Sequence, residues 1–222
     1  MIRWERDEGI GILRMNAGEN RLNAAFLDAL ERALDRAENE DIDALVSIGS
    51  ERFYSTGLDL AWLSGDGRSE AEDFVERLQH LFARLLAFPV ATVAALNGHA
   101  FAGGAMLALC HDKRVMRSDR GYFCIPEIDL ATGQPLTPGM VALIRMKLPP
   151  QTFHEAIVTG HRYGGTAAEE AGIVQSTASE SDLLPHALDL ARHAGGRDRG
   201  TLATLKTQLA GAAIEMLHGV RS

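Results

Sequence analysis

Glu127 follows the apolar stretch Phe123-Cys124-Ile125 and a proline, so its carboxylate is carried past a strand end on a stiff backbone. A carboxylate packed there loses solvation, and its pKa rises toward a value suited to a general base. A surface glutamate closing a strand is the other reading of the same residue. Two further stretches carry unusual groups at strand ends. Asn97-Gly98-His99-Ala100-Phe101-Ala102-Gly103-Gly104-Ala105 follows the apolar run 90–96 and leads into Met106-Leu107-Ala108-Leu109-Cys110, a pattern of strand, glycine turn and buried helix. Bare backbone at Gly103 and Gly104 lets a ligand atom approach a main-chain N–H at a helix start, where an oxyanion is favoured. A tight turn packed on other backbone is the alternative for that glycine pair. In Phe53-Tyr54-Ser55-Thr56-Gly57-Leu58-Asp59-Leu60, Gly57 permits a turn that aims the Leu58 N–H outward.

The elements that must carry these groups alternate. Residues 2–5 and 9–15 read as a hairpin about Asp7-Glu8-Gly9, and Asn23 caps a helix whose Phe26, Leu27, Leu30, Leu34 and Ala37 recur at helical spacing. A buried strand is expected at 44–48. Ser69 and Glu72 have capping-box spacing ahead of an amphipathic helix that Phe88-Pro89 stops, and a strand follows at 90–96. Short strands are expected at 113–116 and 122–125. Thr137-Pro138 opens a helix to Lys147, a further helix covers 151–158, and Thr166 with Glu169 again has capping-box spacing. Two helices close the chain, with Leu202, Leu205, Leu209, Ala212 and Met216 on one face of the last, suited to packing or to contact between subunits. Alternating strands and helices call for an α/β fold with a mainly parallel sheet and helices outside it.

Composition excludes several classes. A chain of 222 residues, 46% hydrophobic and 23% charged, has the make-up of a globular protein with a substantial core. A net charge of -8 argues against a general nucleic-acid binder or a protein held on anionic membranes. No apolar run approaches the ~20 residues of a membrane span. Cys110 and Cys124 lack zinc-ligand spacing and read as buried thiols of a reducing compartment. With an N-terminus unlike a signal peptide, the expected location is cytoplasmic. His99 and His111 read as structural, Asp112 as a tie at a helix end, and Asp59 as a brace of its loop.

Four motifs in register, Tyr54-Ser55-Thr56-Gly57-Leu58-Asp59-Leu60, Ala95-Leu96-Asn97-Gly98-His99-Ala100-Phe101-Ala102-Gly103-Gly104, Cys110-His111-Asp112 and Pro126-Glu127-Ile128-Asp129-Leu130, resemble the enoyl-CoA hydratase/isomerase (crotonase) superfamily. Thr159-Gly160-His161-Arg162-Tyr163 and Glu169-Glu170-Ala171-Gly172-Ile173-Val174 extend the similarity to about residue 195. The resemblance implies a spiral of strand-strand-helix units over 1–178, with a short helical C-terminal region over 179–222. It implies an acyl-CoA thioester substrate and no separate cofactor or metal, CoA being part of the substrate. A homotrimer or a dimer of trimers is implied as well.

The resemblance further assigns the thioester oxygen to the N–H groups of Leu58 and Gly103, and proton transfer to Glu127. It places Arg21, Leu22, Thr56, Gly57, Asp59, Leu60, Gly104 and Met106 along the substrate, with Arg21 toward the phosphates of CoA; a solvated arginine is the other reading of Arg21. Hydratases of this superfamily carry a second glutamate where this chain has Met106, which handles no proton. One carboxylate suits moving a double bond from C3 to C2, taking a proton from C2 and returning it at C4. The expected activity is therefore that of a Δ3-Δ2-enoyl-CoA isomerase. An inefficient hydratase and a noncatalytic acyl-CoA binder are the alternatives. The segment 131–136 reads as longer than the usual link and bears on the acyl pocket.

Overall fold

The computed structural model describes residues 1–130 and 136–219. Strand β1 (Ile2–Asp7) pairs antiparallel with β2 (Ile10–Met15), and Glu8 takes a positive φ of 51° in the turn. Helix α1 (Ala24–Asn39) starts where Asn23 accepts the Phe26 N–H, and its buried stripe is Phe26, Leu27, Leu30, Ala33, Leu34 and Ala37. The chain then winds through β3 (Ala44–Ile48), β4 (Phe53–Ser55), α2 (Leu60–Ser64), α3 (Ala71–Leu86), β5 (Ala91–Leu96), β6 (His99–Phe101), α4 (Gly103–Leu109), β7 (Lys113–Arg117) and β8 (Phe123–Cys124). Helices α5 (Pro138–Lys147), α6 (Pro150–Thr159) and α7 (Gly165–Glu170) follow, then β9 (Ser176–Ala178), α8 (Leu183–Ala194) and α9 (Arg199–Leu217).

The three central turns of the winding, starting at β3, β5 and β7, each lay one strand in a large sheet, a short strand in a small one, and then helix. The large sheet runs β1-β2-β3-β5-β7-β9, parallel throughout except for the hairpin, and the small sheet runs β4-β6-β8, all parallel. This is the α/β spiral of strand-strand-helix units with helices at the C-terminal end. Both faces of the large sheet are covered, so β3 and β5 are buried at every residue. Ala44, Val46 and Ile48 pack with Leu183, Ala187, Leu188 and Ala191 of α8 on one face, whereas Leu45 turns toward the core between the sheets. A one-residue slip would exchange the two sets.

Four sequence expectations change. The small sheet is a second sheet beside the single one expected: its strand near 122–125 is expected from the sequence, whereas β4 and β6, of three residues each, carry too little alternation to register. Neither capping box forms. A 3-10 turn, Arg68–Glu70, leads into α3, and Glu70, the residue before it, gives no side-chain cap. Gly164 caps α7 while the Glu169 carboxylate accepts from the Thr177 hydroxyl at 2.9 Å instead. The apolar face of α9 does not pack on this subunit either. Lys206, Ala210, Ala213 and Leu217 face inward, whereas Leu205 and Leu209 are 57% and 78% exposed. Lys206 lies on the inward face, where its ammonium donates to the Val90 carbonyl at 2.8 Å and pairs with the Asp112 carboxylate, so its buried charge is compensated.

Candidate active site

The register of the small sheet assembles the site. Ser55 pairs with Ala100 and Ala100 with Phe123, so the three strands leave the sheet side by side. Leu58 and Gly103 each lie three residues beyond their paired position, and Glu127 lies four beyond. Three segments distant in sequence thus converge at one end of one sheet. The Ala102 N–H donates to the Cys124 carbonyl at 3.0 Å, which ties the segment before Gly103 to the one before Glu127.

Main-chain hydrogen bonds aim the Leu58 N–H. The Leu22 N–H donates to the Gly57 carbonyl at 2.8 Å, and the Asp59 N–H donates to the Leu22 carbonyl at 3.0 Å. In a trans peptide C=O and N–H point in opposite directions. With its carbonyl turned to Leu22, the Gly57-Leu58 peptide must present its N–H on the far side. Gly57 adopts φ 84°, and a Cβ there would lie 2.9 Å from the Gly103 nitrogen. Only glycine meets both conditions. A Cβ on Gly103 would lie 3.7 Å from the Leu58 nitrogen, so the two N–H groups are neighbours. Among the described residues neither has an acceptor.

In the turn before α4 the positive φ falls on Ala102, at 50°, and Gly103 and Gly104 are already helical. Such a conformation costs a residue with a Cβ about 1–3 kcal/mol and concentrates at functional sites. It turns the chain so that the Ala102 carbonyl accepts from Met106 at 3.1 Å, leaving the Gly103 N–H of the same peptide directed out of the helix start. Gly104 is needed for close approach, since a Cβ there would stand 2.2 Å from the Ser55 carbonyl oxygen.

Glu127 is partly buried, and its Oε2 has no hydrogen-bond partner among the described residues. Loss of solvation pushes its pKa up to about 7, so it titrates at neutrality. Two free N–H donors and an unpartnered carboxylate poised near pH 7 can polarise a carbonyl and take a proton from the carbon beside it.

The remaining sequence-selected residues divide. Leu22 and Met106 are buried, at 0% and 1% exposure, so Leu22 serves the site through its backbone and Met106 lines the core three residues after Gly103. The Asp59 carboxylate accepts from the Trp62 N–H at the start of α2 and from Asn23 at 3.0 Å, which is the bracing role. Leu60 opens α2 with 44% exposure. Arg21 is exposed and pairs with Glu19 at 2.9 Å, and the Thr56 hydroxyl donates to that same carboxylate at 3.1 Å. Arg21, Glu19, Asn23, Phe26 and Asp59 share a recess of about 300 Å³, in which Glu19 offsets the charge Arg21 offers an anion. The segment 131–135, expected to shape the acyl pocket, lies outside the described residues.

The histidines are not brought together as ligands, and no group of three or more His, Cys, Asp or Glu among the described residues could hold a metal ion. His111 bonds Ser47 at 2.8 Å and the Leu107 carbonyl at 3.0 Å, and Ser47 in turn bonds the Tyr54 hydroxyl at 2.8 Å. Asp112 accepts from the Thr92 N–H at 2.8 Å and pairs with Lys206. Both cysteines are buried. No helix among the described residues is long and apolar enough to cross a membrane. The sequence assigned no role to Asn20 or to Ser55. Both are fully buried beside the Leu58 turn.

Known proteins resemble this chain over most of its length. The profile of the family described as enoyl-CoA hydratase/isomerase matches residues 5–220. The peroxisomal enoyl-CoA delta isomerase 2 of Arabidopsis thaliana is 35% identical over 175 residues, which cover 74% of this chain and 71% of the relative. The carnitinyl-CoA dehydratase of Escherichia coli K12 is 31% identical over 163 residues, covering 73% of this chain and 61% of that enzyme. The apo structure of an enoyl-CoA isomerase from Mycobacterium tuberculosis superposes with a TM-score of 0.90 at 27% identity, covering 99% of this chain and 95% of the other. A spiral with this strand register, matched by the family profile from residue 5 to residue 220, places the chain in the enoyl-CoA hydratase/isomerase (crotonase) family of enzymes.

Proposed function

We propose that this enzyme moves the double bond of a 3-enoyl-CoA to C2. The N–H groups of Leu58 and Gly103 hold the thioester oxygen and stabilise the enolate formed when Glu127 takes a proton from C2. The same carboxyl then returns that proton at C4, so atoms and charge balance without a second acid or a water molecule. One observation carries the reading: Glu127 has a free oxygen and a pKa near 7, while the position that would hold a second acid is the buried Met106. The isomerase names of the Arabidopsis relatives agree with it, while the mycobacterial protein is named an isomerase in one structure and a probable hydratase in another.

A dehydratase among the relatives keeps the hydration reading in play. One pair of assays separates the two. A 3-enoyl-CoA should be converted to the 2-enoyl ester, while a 2-enoyl-CoA should give little 3-hydroxyacyl-CoA. Hydration faster than isomerisation, or no turnover of either ester, refutes the proposal. The solvent-facing stripe of Leu205, Leu209 and Met216 on α9 supports self-association into a homotrimer or a dimer of trimers, readable as mass by sedimentation.

A further inference from the structure

We infer that Ser55, held by Asn20, is a positioning residue that sets the Leu58 N–H against the Gly103 N–H. The inference rests on the proposed role of those two groups, and no part of it involves Glu127.

Ser55 has no solvent exposure and ends β4 three residues before Leu58. Its hydroxyl donates to the Asn20 carbonyl at 2.8 Å and accepts from the Gly57 N–H at 3.2 Å. Gly57 is therefore fixed at both of its polar groups, the N–H by Ser55 and the carbonyl by the Leu22 N–H. A glycine at φ 84° has wide freedom unless something else restrains it, and these two bonds supply the restraint. Ser55 also meets the other half of the pair. Its carbonyl oxygen and Cβ are the atoms a side chain on Gly104 would strike, at 2.2 and 2.8 Å, so the first turn of α4 rests on this residue.

Asn20 makes the anchor rigid. It is fully buried with φ 51°, a conformation asparagine tolerates better than most residues. Its Oδ1 accepts from the Ala17 N–H at 2.8 Å, and its Nδ2 reaches the carbonyls of Tyr54 at 3.0 Å and of Met15 and Phe53 at 3.3 Å. One side chain thereby ties the β2–α1 connection to β4. The line Asn20, Ser55, Gly57 then runs from that anchor to the peptide whose N–H is Leu58.

The test compares Ser55→Ala and Ser55→Cys with the parent enzyme. Two readouts are taken, kcat and KM on a 3-enoyl-CoA, and the infrared carbonyl stretch of bound carbonyl-labelled butanoyl-CoA. The saturated ester has no double bond to move, so its stretch reports carbonyl polarisation whatever the outcome of the isomerase assay. For Ser55→Ala we expect kcat to fall about tenfold to a hundredfold with KM within about threefold, because misplaced donors are felt mainly in the transition state. The bound carbonyl should shift toward its frequency in solution. Ser55→Cys, which keeps a weak donor and acceptor, should fall between the two on both readouts. A folded Ser55→Ala with parental kcat and parental carbonyl frequency overturns the inference. Should Ser55→Ala fail to fold, a Ser55→Cys enzyme with unshifted carbonyl and reduced thermal stability alone overturns it equally. Loss of isomerisation in the parent enzyme with its carbonyl shift intact counts against the isomerase reading and leaves Ser55 to be judged on the stretch.

Discussion

His111 and Glu127 are both pressed by burial toward their neutral forms, and the chain uses them differently. Desolvation lowers the His111 pKa to about 4 and raises that of Glu127 to about 7. Both ring nitrogens of His111 are bonded, one to Ser47 and one to the Leu107 carbonyl, within a network that also satisfies Tyr54. Glu127 keeps an oxygen without a partner. A fully bonded neutral imidazole with pKa far from neutrality neither takes nor gives a proton at pH 7. The carboxyl is free to do both. Under the proposed function burial makes structure in one place and chemistry in the other, and what separates the two groups is an unpartnered lone pair with a pKa near working pH.

The largest effect that can break this contrast belongs to Glu127→Gln. The folded chain should persist while isomerisation falls by about 10²–10⁴-fold, the range of a lost proton-transfer group. In the parent, kcat/KM should rise with pH through about 7, because the proposed base works deprotonated and this parameter reports the unliganded enzyme. Stability should move the opposite way. The folded pKa lies above the ordinary value of 4.5, so between these values the folded state binds more protons, and stability falls as pH rises through that window. The glutamine variant escapes this cost. It should match the parent near pH 4 and exceed it by ~1–3 kcal/mol near pH 8 in denaturant titrations. Parental turnover in the variant, or a flat pH profile, would place Glu127 with His111 on the structural side.

Next in size is Gly57→Ala. A Cβ at φ 84° is strained and would press on the Gly103 nitrogen at 2.9 Å. Displacing one main-chain donor typically costs about 10²–10³-fold in rate, so kcat should drop by that factor with a smaller change in CoA-ester affinity by calorimetry. An equal loss in affinity would mean that Leu58 and Gly103 bind ground state and transition state alike.

Much of this was legible in the sequence. The hairpin, the capped α1, the stop at Pro89 and the Thr137-Pro138 helix start all rest on local chemistry, and each has its expected position to within a residue or two. Leu58, Gly103 and Glu127 were singled out because Gly57, the Gly103-Gly104 pair and Pro126 mark the turns that carry them, and the resemblance to the crotonase superfamily supplied their expected roles. Of the small sheet only the strand near 122–125 was legible, since β4 and β6 are held by neighbours remote in sequence and carry no periodicity of their own. The strained residue gave no signal of its own: Ala102 adopts the positive φ, while Gly103 and Gly104, read as bare backbone for close approach, lie close to Leu58 and Ser55. Asn20 gave no signal because an asparagine in a polar stretch looks alike whether it faces water or four buried main-chain groups. The inward face of α9 was not legible because it carries Lys206, whose burial depends on the remote partners Val90 and Asp112.

The smallest effect on activity, and the one that sharpens the contrast most, belongs to Ser47→Ala. The substitution leaves the Tyr54 hydroxyl and the His111 Nε2 buried without a partner, at a cost of about 1–3 kcal/mol for each unsatisfied group. Unfolding free energy near neutral pH should drop by about 2–4 kcal/mol, while kcat per folded molecule stays at the parental value. The acid side carries the second readout. His111 has a folded pKa of about 4, below its ordinary 6.5, so as pH falls through that interval the unfolded chain takes up the proton first and the folded state loses stability. That acid loss should vanish in His111→Gln, which cannot titrate, and persist in Ser47→Ala, whose imidazole remains buried. If Ser47→Ala instead lowers kcat with stability unchanged, the network reaches the chemistry after all, and the line between the two regions has to be redrawn through Tyr54 into β4.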